Sequence, residues 1–241
     1  GAGWLIGATV SAPQTTNLVE QIQSRGYLNV GTSADYPPFE DYNTTSEEYY
    51  GFDIDIANLI ADELGVELRI QDLDFDSLIG ACTSGTIDMI AAAMTDNAQR
   101  REQLLPSVHY ISVTQVVIVP EGSDLEINEL SDLQGYDVGC QAGTVMQDEL
   151  EDAGLDPVTY ARADLLIQDL VAGGIDAAYV DGPIYTAYSD TEDLKIIYST
   201  ESEDLSLWCR KTTPDLMYVI NNVIFDGYQN GTIQELILKW F

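Results

Sequence analysis

Residues 85–110 read GTIDMIAAAMTDNAQRREQLLPSVHY. A small-residue turn leads into a short apolar run that breaks at Met94-Thr95-Asp96-Asn97. A polar, helix-compatible segment with two adjacent arginines, Arg100 and Arg101, follows. The plan of its first half recurs downstream. Ser84-Gly85-Thr86-Ile87-Asp88-Met89-Ile90 is matched by Ala172-Gly173-Gly174-Ile175-Asp176-Ala177-Ala178: helix end, glycine, then Ile-Asp before an apolar strand. Repeated small α/β units argue for two lobes.

Upstream of this stretch, Leu18 to Arg25 reads as a short helix stopped by Gly26, and Tyr27 to Thr32 as the first strand. Ser33 to Glu40 is a turn stiffened by Pro37 and Pro38, which holds Tyr36 and Phe39 in place. Asp41 to Tyr50 is a polar hairpin or loop. Gly51 to Ala57 opens a helix with Asp53 as its expected N-cap. Ile56, Leu59, Ile60 and Leu64 form its apolar stripe, and Gly65 ends it. A strand at Val66–Ile70, a helix at Ser77–Thr83 and a strand at Ile87–Ala91 follow. This β-α-β-α-β order predicts a mostly parallel sheet covered on both faces. Ligands of such sheets sit beyond the carboxyl ends of the strands. Those ends are Ser33–Phe39, Leu73–Phe75 and Ala92–Asn97.

Downstream, Tyr110 to Pro120 is a long strand or two segments crossing a boundary. Ile127–Leu133 is a brief helix, and a second α/β series then runs from Asp137 to Val180. It holds strands at Asp137–Cys140, Pro157–Tyr160 and Ile175–Val180, with helices at Val145–Ala153 and Ala163–Ala172. Asp181-Gly182-Pro183 turns out of the last strand. A late strand spans Leu194–Tyr198, and Asp204 to Arg210 crosses back toward the first lobe. Helices at Pro214–Tyr228 and Thr232–Trp240 close the chain; Trp208 and Trp240 read as core or hinge packing. The expected division is a tether or tail over 1–19, a first lobe from 20–112 plus 205–241, and a second from 113–204.

Composition narrows the function. Of 241 residues 45% are hydrophobic, too many for a disordered chain. Only 9 Lys and Arg stand against 41 Asp and Glu, a formal net charge of -32. Such a surface repels nucleic acid and anionic membranes. The carboxylates are dispersed and lysine is limited to Lys195, Lys211 and Lys239. That points to a protein that works in strong salt, where self-repulsion is screened; an acidic secreted protein is the alternative. Cys82, Cys140 and Cys209 sit among apolar neighbours and read as buried free thiols, not a metal motif. His109 is the only histidine, so histidine-based metal clusters are unavailable, and no cofactor is expected. No apolar run reaches the roughly 18 residues of a membrane span, and no signal peptide is visible. Arg100 has two readings: one of a pair of surface arginines, or a guanidinium delivered to a cleft, where its rigid fork fits a carboxylate.

Six motifs in order over residues 25–241 resemble the extracellular solute-binding proteins of ABC importers, the polar amino-acid-binding family (family 3). They are Leu28–Glu40 with its Tyr-Pro-Pro-Phe-Glu turn, Gly51–Ala57 (GFDIDIA), Gly85–Tyr110, Gly139–Thr144, Gly174–Asp181 and Gly231–Trp240. The resemblance implies a bilobal periplasmic-binding-protein-like (type II) α/β fold with a two-segment hinge, closing on an amino acid. By that resemblance Arg100 and the Thr144 N–H take the ligand carboxylate, and Asp181 takes the ammonium with groups around Ala92 and Thr95. Tyr36 and Phe75 sandwich the side chain, an arrangement that favours a cation and also accepts a neutral chain. Asn97 stands where many members have threonine, and either lines the site or caps the next helix. Ser33 stands where some basic-ligand binders have aspartate, which weakens the basic reading. Gln141, Tyr179, Tyr185 and Asp164 are further residues near the expected pocket.

The implied function is extracellular or periplasmic capture of a polar, possibly basic, amino acid such as arginine, lysine or ornithine, and delivery to an ABC permease. The implied protein is a monomer tethered to the outer face of the cytoplasmic membrane. Two alternatives stand beside it. One is the ligand-sensing ectodomain of a receptor. The other is a cyclohexadienyl or arogenate dehydratase-like enzyme with Asp35, Asp74 or Asp76 as the cleft acid, although solvation at the surface is the simpler reading of each.

Overall fold

A computed structural model describes residues 17–241. Trp4, Leu5, Ile6 and most of the expected tether lie outside the described residues. Asn17 caps helix α1 (Leu18–Arg25) by accepting the Glu20 N–H, and Leu18 and Ile22 are buried. Strand β1 (Tyr27–Thr32) pairs in parallel with β5 (Glu67–Asp72) and β6 (Met89–Ile90). Between β1 and β5 lie a small sheet and a helix. The sheet is β2 (Asp35–Tyr36), β3 (Glu40–Asn43) and β4 (Glu48–Tyr50), so the polar segment after Asp41 is a hairpin.

Helix α2 (Phe52–Leu64) buries Phe52, Ile56, Ala57, Ile60 and Leu64. Its N-cap is Gly51, not the expected Asp53. The chain enters at φ 130°, and a Cβ on Gly51 would lie 2.1 Å from the Phe39 carbonyl oxygen. Only glycine fits there. Asp53 thereby becomes the second residue of the first turn, on the buried face. A short 3-10 turn (Phe75–Ser77) leads into α3 (Leu78–Ser84), followed by β6, α4 (Ala98–Gln103) and β7 (Leu104–Pro106).

The chain then enters a second five-stranded sheet through β8 (Ile111–Pro120). After a 3-10 turn at Leu130–Leu133 come β9 (Val138–Gln141), α5 (Val145–Asp152), β10 (Val158–Tyr160), α6 (Ala163–Ala172) and β11 (Ala177–Asp181). A helix missed by the sequence reading, α7 (Gly182–Ser189), starts at Asp181. Pro183 lies in its first turn, where a missing N–H is harmless, so the proline opens a helix and not a turn. Strand β12 (Leu194–Leu205) is far longer than its apolar start suggested. Register shifts between Ile196 and Tyr198 and between Ser199 and Ser202 break its alternation and hide it from periodicity. The chain returns to the first sheet as β13 (Trp208–Arg210) and ends in α8 (Pro214–Asn230) and α9 (Thr232–Trp240).

The sheet orders are β5-β1-β6-β13-β7 and β10-β9-β11-β8-β12. Each sheet is mixed, not mostly parallel. Strands joined through a covering helix run parallel, as crossovers require. Strands on the paths between lobes pair antiparallel: β13 with β6 and β7, and β8 with β11 and β12. The fold is thus two lobes joined by two adjacent crossings. The crossings meet where Thr95 bridges Leu205 and the Asp96 N–H donates to the Asp204 carbonyl. Trp208 is fully buried there, its indole N–H donating to the Met94 carbonyl. All three cysteines are free and buried. Burial pushes the Cys82 and Cys140 thiols up to about 12 and Cys209 to about 11, so they stay protonated.

With 41 acids and 9 Lys and Arg, most carboxylates have no cationic partner to pair with. Their mutual repulsion opposes the compact state. Raising salt shortens the Debye length to about 3 Å at 1 M. Thermal unfolding is therefore expected to shift upward by several degrees between about 0.1 M and 3 M potassium chloride. A midpoint that falls with salt would contradict this.

Candidate functional site

The two lobes meet around a small cavity of about 10 Å³. Tyr36, Phe75, Ala92, Ala93, Thr95 and Arg100 line it from the first lobe; Gln141, Thr144, Val145, Met146 and Asp181 line it from the second. The first-lobe groups come from the carboxyl ends of β1, β5 and β6 and the segments that follow, as α/β topology dictates.

Asp53 sets the shape of the central segment. Its carboxylate is fully buried and accepts the Ala93 N–H at 2.8 Å and the Tyr110 hydroxyl at 2.9 and 2.8 Å. Ala93 has φ 45°, a left-handed conformation that costs a non-glycine residue about 1 kcal/mol or more. The Asp53 hydrogen bond holds it there. The strand end thereby turns so that the Thr95 carbonyl faces Arg100. Asn97 caps α4 by accepting the Arg100 N–H at 2.8 Å, which points the Arg100 side chain back along the helix. Arg100 is only 5% exposed. Its guanidinium donates to the Thr95 carbonyl at 2.7 Å and, across the cleft, to the Gly143 carbonyl at 3.1 Å. It also lies 5.6 Å from the Phe75 ring centre. Burial lowers its pKa to about 10, so it remains a cation at neutral pH.

Gly143 must be glycine for this approach. It has φ 76°, and a Cβ would sit 2.9 Å from that of Asp76 in the other lobe. Thr144 stands at the N-cap position of α5 but makes no capping bond; its hydroxyl instead donates to the Gln141 carbonyl at 2.7 Å. Asp181 ends β11 and is 3% exposed. Its Oδ2 accepts the Tyr36 hydroxyl across the cleft at 2.8 Å, while Oδ1 is buried with no partner. Burial pushes its pKa to about 7 despite that hydrogen bond. A buried carboxylate oxygen without a donor is costly and invites a cationic one.

The sequence pointed to most of this lining. Ser33 and Asn97 are not part of it. Ser33 is buried behind the wall, donating to Asp35 at 2.7 Å. Asn97 is occupied as the α4 cap. Tyr179 bonds Glu149 at 2.5 Å, Tyr185 reaches the Leu194 carbonyl at 3.5 Å, and neither they nor Asp164 lines the cavity. Asp35, read as solvated, is 2% exposed; Asp74 and Asp76 are exposed as expected. Ala93, Val145, Met146 and the part played by Asp53 were missed. Asp53 was detectable: it precedes Ile56, Ala57 and Ile60 by three, four and seven residues, which puts an acid on the apolar face of α2.

Four acids around the site are buried. Burial raises Asp35 to about 6 and Asp53 to about 7, and lifts Glu40, with both oxygens unpartnered, well above the carboxylate range. Carboxyls in an unfolded chain titrate near pH 4. Between about pH 4 and pH 7 the folded protein therefore holds protons that the unfolded chain releases, and stability falls as pH rises through this window. In 3 M salt, with surface repulsion screened, the unfolding midpoint is expected to be higher at pH 5.5 than at pH 8. Equal midpoints would contradict the burial of these groups.

The sequence model of the bacterial extracellular solute-binding proteins, family 3, matches residues 28–241. The chain is 28% identical over 222 residues to the arginine-binding extracellular protein ArtP of Bacillus subtilis (strain 168), covering 89% of this chain and 86% of ArtP. It is 28% identical over 242 residues to the L-cystine-binding protein TcyJ of Escherichia coli (strain K12), covering 98% and 90%. Among solved structures, the P235GK mutant of ArgBP from T. maritima superposes with a TM-score of 0.89 at 35% identity, covering 92% of this chain and 98% of that one.

Proposed function

The chain belongs to the bacterial extracellular solute-binding proteins, family 3, and from that premise we propose that the amino acid it carries is basic, arginine foremost. It binds a polar or basic amino acid outside the cytoplasmic membrane and delivers it to an ABC permease; it is a transport protein and not an enzyme. The expected lipid-side tether and the division into lobes at residues 112 and 204 belong to the same proposal.

One observation carries the reading of the site. A buried cation, Arg100, and a buried carboxylate with an unpartnered oxygen, Asp181, reach one cavity from opposite lobes. In this reading Arg100 takes the ligand carboxylate with the Thr144 N–H, and Asp181 takes the ammonium with backbone carbonyl or side-chain groups around Ala92 and Thr95. A zwitterion whose two ends bridge the lobes binds the closed form better than the open one, and that difference drives closure. The basic side chain lies between Tyr36 and Phe75, where a cation gains from both ring faces, and Gln141 contributes an amide at the wall. ArtP, named for arginine, supports this choice; TcyJ, named for cystine, makes the uncharged amino acids the necessary controls.

Calorimetric titration in strong salt against arginine, lysine, ornithine, glutamine and cystine tests it. Tight binding confined to uncharged amino acids would refute the basic ligand. Arg100→Ala is expected to weaken binding by about 2–5 kcal/mol, roughly 30-fold to several thousandfold. The pH profile gives a second test. Asp181 must be ionised to hold an ammonium, and it titrates at about 7. Affinity is expected to be flat above pH 8 and to fall toward pH 5 by up to about tenfold per unit. Affinity that rises on acidification would contradict the assignment of Asp181.

A further inference from the structure

Helix α6 of the second lobe has no cap of its own. Arg162 stands at its N-cap and makes no side-chain hydrogen bond to the first turn. The first amides of a helix have no intrahelical acceptor and need one from outside. Here the acceptor comes from the other lobe. Asp35, at the end of the first strand's turn, accepts the Ala163 N–H through Oδ2 at 2.5 Å. The same carboxylate oxygen accepts the Gln141 amide at 3.2 Å, and Oδ1 is fixed by the Ser33 hydroxyl at 2.7 Å. Arg162 adds a donation to the Ala34 carbonyl at 2.9 Å and lies 3.5 Å from Asp72, both in the first lobe. Asp35 does not line the cavity. It touches the second lobe and not the place where a ligand would lie.

We propose that Asp35 is a closure residue: it caps α6 in trans across the cleft, so that shutting the lobes completes a helix end that opening exposes. Taking the lobe closure of the proposed function as given, the capping hydrogen bond adds to the closed form a stabilisation that does not depend on which amino acid is bound. An N-cap interaction corresponds to about three- to thirtyfold in an equilibrium constant. Asp35 therefore acts on affinity through the open–closed equilibrium and leaves the ranking of amino acids to the cavity wall.

Two variants approach the bond from opposite sides. Asp35→Ala removes the acceptor. Ala163→Pro removes the donor and leaves the first lobe untouched. Proline is well tolerated at the first helical position, and Arg162 already has the extended conformation (φ -127°, ψ 140°) that a following proline requires. Ala163→Pro is expected to keep the unfolding midpoint of the ligand-free protein within a few degrees. It should weaken binding of each amino acid the protein takes by about three- to thirtyfold or more, through faster dissociation, with the ranking unchanged. In Asp35→Ala saturated with an amino acid it binds, hydrogen exchange at the Ala163 amide should be several-fold quicker than in the equally saturated unaltered protein, while amides beyond the first turn of α6 stay as they were. Should Asp35→Ala not fold, Ala163→Pro alone decides. Unchanged affinity in folded Ala163→Pro, or unchanged Ala163 exchange in folded Asp35→Ala, overturns the proposal. If the unaltered protein binds no amino acid, the proposed function falls; if it binds and both variants match it in affinity and in Ala163 exchange, the proposed function stands and the role of Asp35 falls.

Discussion

A guanidinium out of contact with water is the constraint on which this structure turns. Arg100 is 5% exposed, in a chain with few cations to spare. A buried charge is tolerated only where it is paired and hydrogen-bonded. The fold meets that demand with one carbonyl from each lobe, Thr95 and Gly143, and with the Phe75 ring. Carbonyls satisfy individual N–H donors but do not neutralise the charge. Asp181 supplies an opposite charge from across the cavity, and burial holds its own ionisation back to about pH 7. The pair therefore leaves unsatisfied electrostatics on both sides of one small space. A zwitterion completes both at once, which neither a simple anion nor a simple cation does.

The shape of this site comes from polar groups that do not line the cavity. Asp53 pins Ala93 in a left-handed turn and ties it to Tyr110, so the segment before α4 has one shape. Tyr110 lies next to the first crossing, and the Tyr228 hydroxyl donates to its carbonyl at 2.5 Å from α8. The shape of the binding wall is thus anchored to the large helices of the first lobe. The second lobe presents helix starts and strand ends to the cleft: Thr144 at α5, Ala163 at α6, Gln141 at the end of β9 and Asp181 at the end of β11. Helix starts carry unpaired N–H groups and partial positive charge. They face a lobe that offers carboxylates, carbonyls and aromatic rings, and polar contacts join the two across the cleft.

Much of this was legible in the chain because local rules and tertiary demands agreed. Glycine stops, apolar stripes and the Ile-Asp echo place β1, α2, β6, α6 and β11 within a residue or two, and the strand-end rule finds Tyr36, Phe75 and Thr95 together, while the family resemblance singles out Arg100 just beyond them. It failed where a long-range contact overrides a local preference. Asp53 looks like a cap, but Gly51 takes that place because the Phe39 carbonyl leaves no room for a side chain. Asp35 looks solvated in so acidic a chain, but its partners, Ala163 and Gln141, lie more than a hundred residues away. Bulges in β12 erase its period, and Pro183 signals a turn where it opens a helix. The failures at Asp53 and Asp35 are contacts between distant segments, the kind of pairing that periodicity cannot report.

The account stands on the claim that Arg100 and Asp181 hold the two ends of one zwitterion. Titration of the unaltered protein, in strong salt at pH 8, with arginine, with agmatine and with Nα-acetylarginine tests it directly. Agmatine keeps the guanidinium and an amine but lacks the carboxylate; the acetylated form keeps the carboxylate but lacks the ammonium. The account predicts that arginine binds and that each analogue loses at least about a hundredfold, since each leaves one buried charge unpaired. Agmatine or Nα-acetylarginine binding as tightly as arginine would contradict it.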